Sequence, residues 1–319
     1  MSRYSWPARG LFTMMIPLVA IACSGGDKSD DGSDDGAGDD GGDGTDGGGD
    51  GPGIEEFINV TTSPVGDLTG FEAGYDEATG WWVQTPDPAK QVEVPLTGSA
   101  TDFETGDGVP DAKVEIWNND VVSGVANIEF TSDSSGNVSG TSIVCQPQTY
   151  KVTTDPDLAE TKETYEAHQM YGFAESLDGE DFNSVSTTTY SIIPSLLGVS
   201  PDTDKGIVAG TCFDVNEDPI EGAQVVIVDA EGNIPESLVV KYFVDEFPNR
   251  NQPNTSPDGL WVAVNIPAGE WFAQMWVSDG AGGHKLLGAS TLTVFADSIN
   301  IGNIYTGYGD GVKYPESCL

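Results

Sequence analysis

Two histidines, four cysteines and a dense set of carboxylates are the side chains of this 319-residue sequence that could do chemistry. His168 and His284 lie far apart in the chain, and neither has another His or Cys at metal-ligand spacing. There is no His-Glu-x-x-His, no Gly-x-Ser-x-Gly and no phosphate loop. A Ser-His-Asp hydrolase would have to be assembled from separate regions without a local signature. His168 stands among Glu163, Glu166 and Gln169 and reads as a solvated helix face. His284, in Gly282-Gly283-His284-Lys285, reads as a hairpin tip. The residues therefore predict no enzyme, no catalytic group and no cofactor. Asp214, Asn216 and Asp218 alternate in a turn and could offer oxygens to calcium, but no bidentate acid completes the set.

Aromatic residues give the better binding hint. Alternation along residues 271–277 puts Trp271, Ala273, Met275 and Val277 on one face, and Phe272, Gln274 and Trp276 on the other. One face must be core. Phe272 and Trp276 on the second could stack on a sugar or a peptide, unless residues 235–257 cover them.

The charge balance limits partners. The chain carries 52 Asp+Glu against 12 Lys+Arg, a net charge of −40. Phosphate binding needs clustered Lys and Arg, so nucleic acid is excluded as a partner. Hydrophobic residues make up 38% and aromatic residues 9%, enough for real cores.

Residues 1–22 read as an export signal. Arg3 and Arg9 precede an apolar run from Leu11 to Ala22, too short to span about 30 Å of hydrocarbon. The run ends Val19-Ala20-Ile21-Ala22-Cys23. This resembles the lipobox of bacterial lipoproteins, with Ala20 where Leu is usual. The resemblance implies that Cys23 is lipidated and becomes the mature N-terminus. Ser24 rather than Asp after the Cys implies the outer membrane of a Gram-negative cell, and the acid run that follows resembles the surface-export signals of some Gram-negative lipoproteins. Residues 24–53 hold ten Asp and thirteen Gly and nothing that could form a core. Residues 23–53 are thus expected to be a disordered Asp/Gly-rich tether reaching about 30 Å r.m.s.. The tether contains no Glu to complete an EF-hand loop. The remaining 42 acids and nine bases leave the body near −33.

The body repeats itself. Gly98-Ser99-Ala100-Thr101-Asp102 matches Gly210-Thr211-Cys212-Phe213-Asp214. Val109-Pro110-Asp111-Ala112-Lys113-Val114 matches Ile220-Glu221-Gly222-Ala223-Gln224-Val225. Short β-branched runs such as Val225-Val226-Ile227-Val228, separated by Asp-Gly and Pro-containing turns, predict antiparallel sandwiches. The second copy carries Gly210, Asp214, Pro219-Ile220, Gly222-Ala223, Val225, Asp258-Gly259, Pro267 with Gly269, and Trp271. It resembles the carboxypeptidase regulatory-like domain, a transthyretin-like β-sandwich, over about 205–305. That family is accessory and adhesive, so the resemblance implies a module without catalytic residues.

The expected architecture is mainly β: two tandem antiparallel transthyretin-like sandwiches with a short helical insertion. The first occupies 54–200 and the second 201–319. Residues 54–91 are expected to add strands to the first. Within 155–199, Asp155-Pro156 predicts a helix start, Gly172 its end, and Leu196-Leu197-Gly198 the close of a second short helix. With Cys23 lipidated, Cys145, Cys212 and Cys318 allow three pairings. Cys212–Cys318 is favoured, because it would staple the tail to the first strand of the second module. Cys145–Cys318 would instead lock the modules together. The expected function is a membrane-anchored, non-catalytic binding or structural module. An unidentified protein or glycan is its partner.

Overall fold

The computed structural model describes residues 54–319, except 72–75, 77–78, 156, 158–160, 237 and 246. The signal, Cys23 and the tether fall outside the described residues. The architecture is mainly β. The first copy supplies β1 (Glu93–Asp102), β2 (Lys113–Asn118), β3 (Ile128–Thr131), β4 (Asn137–Ile143), β5 (Pro147–Thr153), β6 (Thr161–Lys162), β7 (Thr164–Met170) and β8 (Leu177–Ser186). The second supplies β9 (Lys205–Phe213), β10 (Gln224–Val228), β11 (Val239–Val244), β12 (Phe247–Asn249), β13 (Leu260–Pro267), β14 (Gly269–Ser278), β15 (His284–Val294), β16 (Ile299–Ile301) and β17 (Ile304–Tyr305).

The repeat is visible in the pairing. β1 pairs antiparallel with β4 on one side and parallel with β8 on the other. β9 does the same with β13 and β16. The matched glycines explain why that position tolerates no side chain. A Cβ on Gly98 would overlap the Glu180 carbonyl oxygen of β8, and one on Gly210 would overlap the Gly302 carbonyl oxygen just after β16.

The two copies share a sheet. β16 pairs parallel with β9 and also with β7. A ten-stranded sheet results, in the order β12-β11-β13-β9-β16-β7-β5-β2-β3, with β17 paired to β9. A four-stranded sheet, β4-β1-β8-β6, faces it in the first copy, and β10-β14-β15 faces it in the second. Each copy has its own core. The first gathers Leu96, Ala100, Val114, Ile116, Tyr150, Val152, Leu177 and Phe182. The second gathers Val208, Val225, Ile227, Trp261, Ala263, Met275, Leu287 and Ile304.

The structure corrects several expectations. The described residues of 155–172 form turn and strand, not the expected helix. Asp155 accepts a bond from the Asp157 amide at 2.9 Å, an Asx turn rather than a helix cap. β6 and β7 come next, as suits β-branched Thr161 and Thr164 beside Tyr165. β7 and β8 complete the first sandwich, and Tyr171, Leu177 and Phe182 enter its core. The short helix before Gly198 does form: α2 (Thr187–Leu197) follows α1 (Ile54–Phe57) in chain order. Ser186 caps α2 through the Thr189 amide, and Gly198 closes it at φ 76°.

The ends of the chain are exchanged between the copies. Residues 54–71, expected on the first copy, pack on the second. Val65 bridges to Glu221. Ile58 and Val60 lie against Val226 and Val228, and Phe71 enters the second core. Apolar alternation at Ile58 and Val60 suits the outer face of β10, which would otherwise be bare. The tail crosses the opposite way. The Trp82 amide donates to Gly307 O at 2.7 Å, the Tyr314 amide to Gln84 Oε1 at 2.7 Å, and the Asp87 amide to Cys318 O at 2.8 Å.

The tail decides the disulfide. Cys318 lies in the first core and bonds Cys145, with 5.2 Å between Cα atoms and 173 residues of separation. Cys212–Cys318 is therefore not the pair. Cys212 is a free thiol enclosed by the second core, and burial pushes its pKa well up. Closing so long a loop stabilises by up to about 5 kcal/mol in the chain-entropy model. Cys145→Ser and Cys318→Ser should each cost several kcal/mol in denaturant unfolding, whereas Cys212→Ala should leave the crosslink intact. Non-reducing peptide mapping that joined 212 to 318 would contradict this pairing.

Candidate functional site

The residues singled out from sequence do not converge. Asp214 is buried at 2% exposure. Its Oδ1 accepts the amides of Asn216 at 2.8 Å and Asp218 at 3.0 Å, and its Oδ2 accepts the Asp67 amide at 2.6 Å. Asn216 Nδ2 then donates to Asp67 Oδ2 at 2.9 Å. Asp214 and Asn216 are thus a bracket that holds the N-terminal segment, and both Asp214 oxygens face N–H donors. Among the described residues no group of three or more His, Cys, Asp or Glu is placed to hold a metal.

The same turn recurs. Asp133, Asp229 and Asp279 each accept the amides two and four residues ahead. The residue three ahead takes a left-handed conformation in all four turns: Gly136, Glu217, Gly232 and Gly282. Amide donation holds the carboxyls of Asp133, Asp229 and Asp279 below the usual range, for Asp229 mainly through Asn233. Part of the acidity thereby acquires a structural use.

Phe272 and Trp276 lie on the face opposite Ala273 and Met275, as alternation requires. That face is not open. Ile54, Phe57, Ile58 and Val60, with Ile234 and Leu238, pack over it. The N-terminal segment forms most of this cover, and among the described residues Leu238 is the apolar contribution of 235–257. Trp276 Nε1 is spent on Gln274 Oε1 at 3.1 Å. Both rings are half-buried, so no free stacking platform is formed there.

His284 sits exposed at the end of the β14–β15 hairpin. His168 departs from its sequence reading. It lies on β7 with its side chain 9% exposed, at φ 59°, where the β5–β7 register shifts. Nδ1 is 2.8 Å from Asp120 Oδ2, and Nε2 is 2.5 Å from the Thr291 carbonyl oxygen. The His168 amide and the Thr149 hydroxyl both donate to Asp120 Oδ1, at 3.1 and 2.9 Å. Burial alone would lower the His168 pKa, but the Asp120 carboxylate, the Thr291 carbonyl and Asp310 outweigh it and raise the value. Both ring nitrogens thus face acceptors, a carboxylate and a carbonyl oxygen.

A crevice of about 120 Å³ opens beside this pair, lined by Asp120, Tyr165, His168, Glu270, Thr293 and Phe295 among others. Tyr165 and Phe295 stack at 4.1 Å. The volume is well below the roughly 300 Å³ at which small-molecule pockets begin. A second polar cluster lies inside the first core. Tyr150 donates its hydroxyl to Glu166, and Asn183 Nδ2 donates to the same carboxylate at 3.0 Å. Burial raises the pKa of both Glu166 and Tyr150. Neither cluster carries a local sequence signature, because their members come from separate strands.

The bases are committed as well. Lys113, Lys151, Lys162, Lys205 and Lys313 pair with carboxylates. Lys90 donates to Leu319 O, Lys241 to Arg250 O and Arg250 to Leu196 O. Lys285 lies over the Phe71 ring at 4.5 Å. The outward field is therefore that of unmatched carboxylates. Among the described residues no helix is long and apolar enough to cross a membrane.

Comparison with protein-family models and with curated proteins finds no match. Solved structures give distant likenesses. The TIE protein of Bacillus anthracis matches at 14% identity and a TM-score of 0.23, over 67% of this chain and 34% of that one. This chain thus spans about a third of its length. The shaft pilin SpaA of Lactobacillus rhamnosus GG matches at 10% identity and 0.21, over 70% and 99% of the two chains. BcpA, the major pilin subunit of Bacillus cereus, matches at 8% identity and 0.22, over 68% and 99%. Scores this low carry no activity or partner to this chain.

The bracket makes a prediction distinct from a calcium site. Asp214→Ala should destabilise by about 1–3 kcal/mol, through three amides left without an acceptor, and should speed hydrogen exchange in 58–71. Calcium should leave the melting temperature unchanged. A calcium-dependent rise that Asp214→Ala abolished would show that the carboxylate serves a cation instead.

Proposed function

We propose that this chain is an exported lipoprotein, anchored through Cys23, that presents a non-catalytic structural or binding module at the cell surface of a Gram-negative bacterium. The observation that carries the reading is the interlock of the body. The N-terminal segment closes the second sandwich, the tail closes the first, and Cys145–Cys318 fastens the tail covalently. Such closure suits a load-bearing module held out on a tether better than an enzyme that must open for substrate. His168 supports the same view, since both ring nitrogens are engaged with acceptors.

The carboxypeptidase regulatory-like reading of 205–305 rests on Gly210, Asp214, Pro219-Ile220, Gly222-Ala223 and Trp271. Gly210 and Asp214 here have packing and capping reasons to be those residues. The duplicated pairing of β1 and β9 extends that reading to the first copy. The partner is a protein or glycan surface that tolerates a strongly acidic body, reached across the span of the tether.

Anchoring is tested by fractionation. Wild type should sediment with the outer membrane, and Cys23→Ala should become soluble or accumulate with its signal uncut. An unchanged membrane fraction for Cys23→Ala would overturn the anchor. Surface protease accessibility in intact cells separates outward display from a periplasmic orientation.

A further inference from the structure

His168 sits where three parts of the molecule meet. Asp120 belongs to the turn between β2 and β3 of the first copy, and Thr291 belongs to β15 of the second. The tail closes the third side. The Thr291 amide donates to Asp310 O at 3.2 Å, and a Cβ on Gly311 would come within 2.7 Å of His168 Cδ2. A carbonyl oxygen can only accept, and so can an ionised carboxylate. The ring between them satisfies both only while it carries both protons.

We propose that His168 is a pH-sensitive fastener: its doubly protonated ring ties the Asp120 turn, β15 and the tail together, and loss of one proton loosens that junction. After deprotonation, one ring nitrogen would turn a lone pair toward either Asp120 Oδ2 or Thr291 O. Asp120 and Thr291 are only partly exposed, and an acceptor left there without a donor is costly. Among the described residues the crevice supplies no substitute cation. Asp120 is bonded by Thr149, and Glu270 of β14 and Asn300 of β16 share the crevice. Asp310 and Tyr314 come from the tail, and burial, with the charges of Asp310 and Asp120 adding to it, raises the Tyr314 pKa. On β7 itself Glu166 is turned away to Tyr150 and Asn183. No Lys or Arg lines the crevice.

The sign comes from the raised value. A histidine whose pKa is higher in the folded state than its usual 6.5 contributes stability fully below 6.5. That contribution is lost as pH rises through the raised value. The fastener therefore holds below pH 6.5 and releases as pH rises through the raised value.

Ring-nitrogen NMR on the full chain tests this, since only two histidines must be told apart. His168 should carry protons on both nitrogens at pH 6 and titrate above 6.5. The denaturant midpoint should fall across that same titration. Asp120→Asn should move the ring midpoint down by about one unit or more, and should shift the pH at which stability drops by the same amount. His168→Gln should abolish that drop and remain folded. A His168 ring already neutral at pH 6.5 would overturn the proposal. So would a denaturant midpoint that ignores the loss of its proton.

Discussion

Strand β16 hydrogen-bonds on both edges, to β9 of its own copy and to β7 of the other. Much of the architecture depends on that three-residue strand. It converts two sandwiches, each with its own core, into one ten-stranded sheet. It also explains why 155–199 cannot be a detachable insertion. β7 must be present to receive β16, and β8 must be present to receive β1.

Sharing a sheet leaves two surfaces to be closed, and the chain closes them with its ends. The outer face of β10 and β14 is apolar, with Val226, Val228, Phe272 and Trp276, and 54–60 covers it. The first core is completed by Cys318 and flanked by Tyr314. Each copy is finished by the end of the chain that is remote from it in sequence. Apolar burial drives both closures, and the disulfide makes one of them covalent. The same arrangement withdraws the groups that might have made a site. The aromatic face becomes an interface with the N-terminal segment, and the Asp214 turn becomes its bracket.

The second copy was largely legible from its residues. Val225 to Val228, Leu260 to Ile266 and Trp271 to Val277 are strands because β-branched and aromatic runs were bounded by Asp-Gly and Pro-Gly turns. The helix closed by Gly198 was legible for a comparable local reason. The rest depended on distance. Asp155-Pro156 is as good a turn opening as a helix start, and the β-branched residues after it favour strand. The partners of His168 lie 48 and 123 residues away, so no spacing could reveal them. The disulfide is set by the path of the tail, which nothing local encodes. The side taken by residues 54–71 depended on which apolar face was left bare.

Hydrogen exchange with mass spectrometry across a denaturant series tests the interlock most directly. Peptides from the first core, around Val114 and Phe182, and from the second, around Val225 and Met275, report the two halves separately. In the oxidised protein both sets should lose protection at the same denaturant concentration. A first core that opens while the second stays protected, or the reverse, would contradict a body closed by exchanged ends.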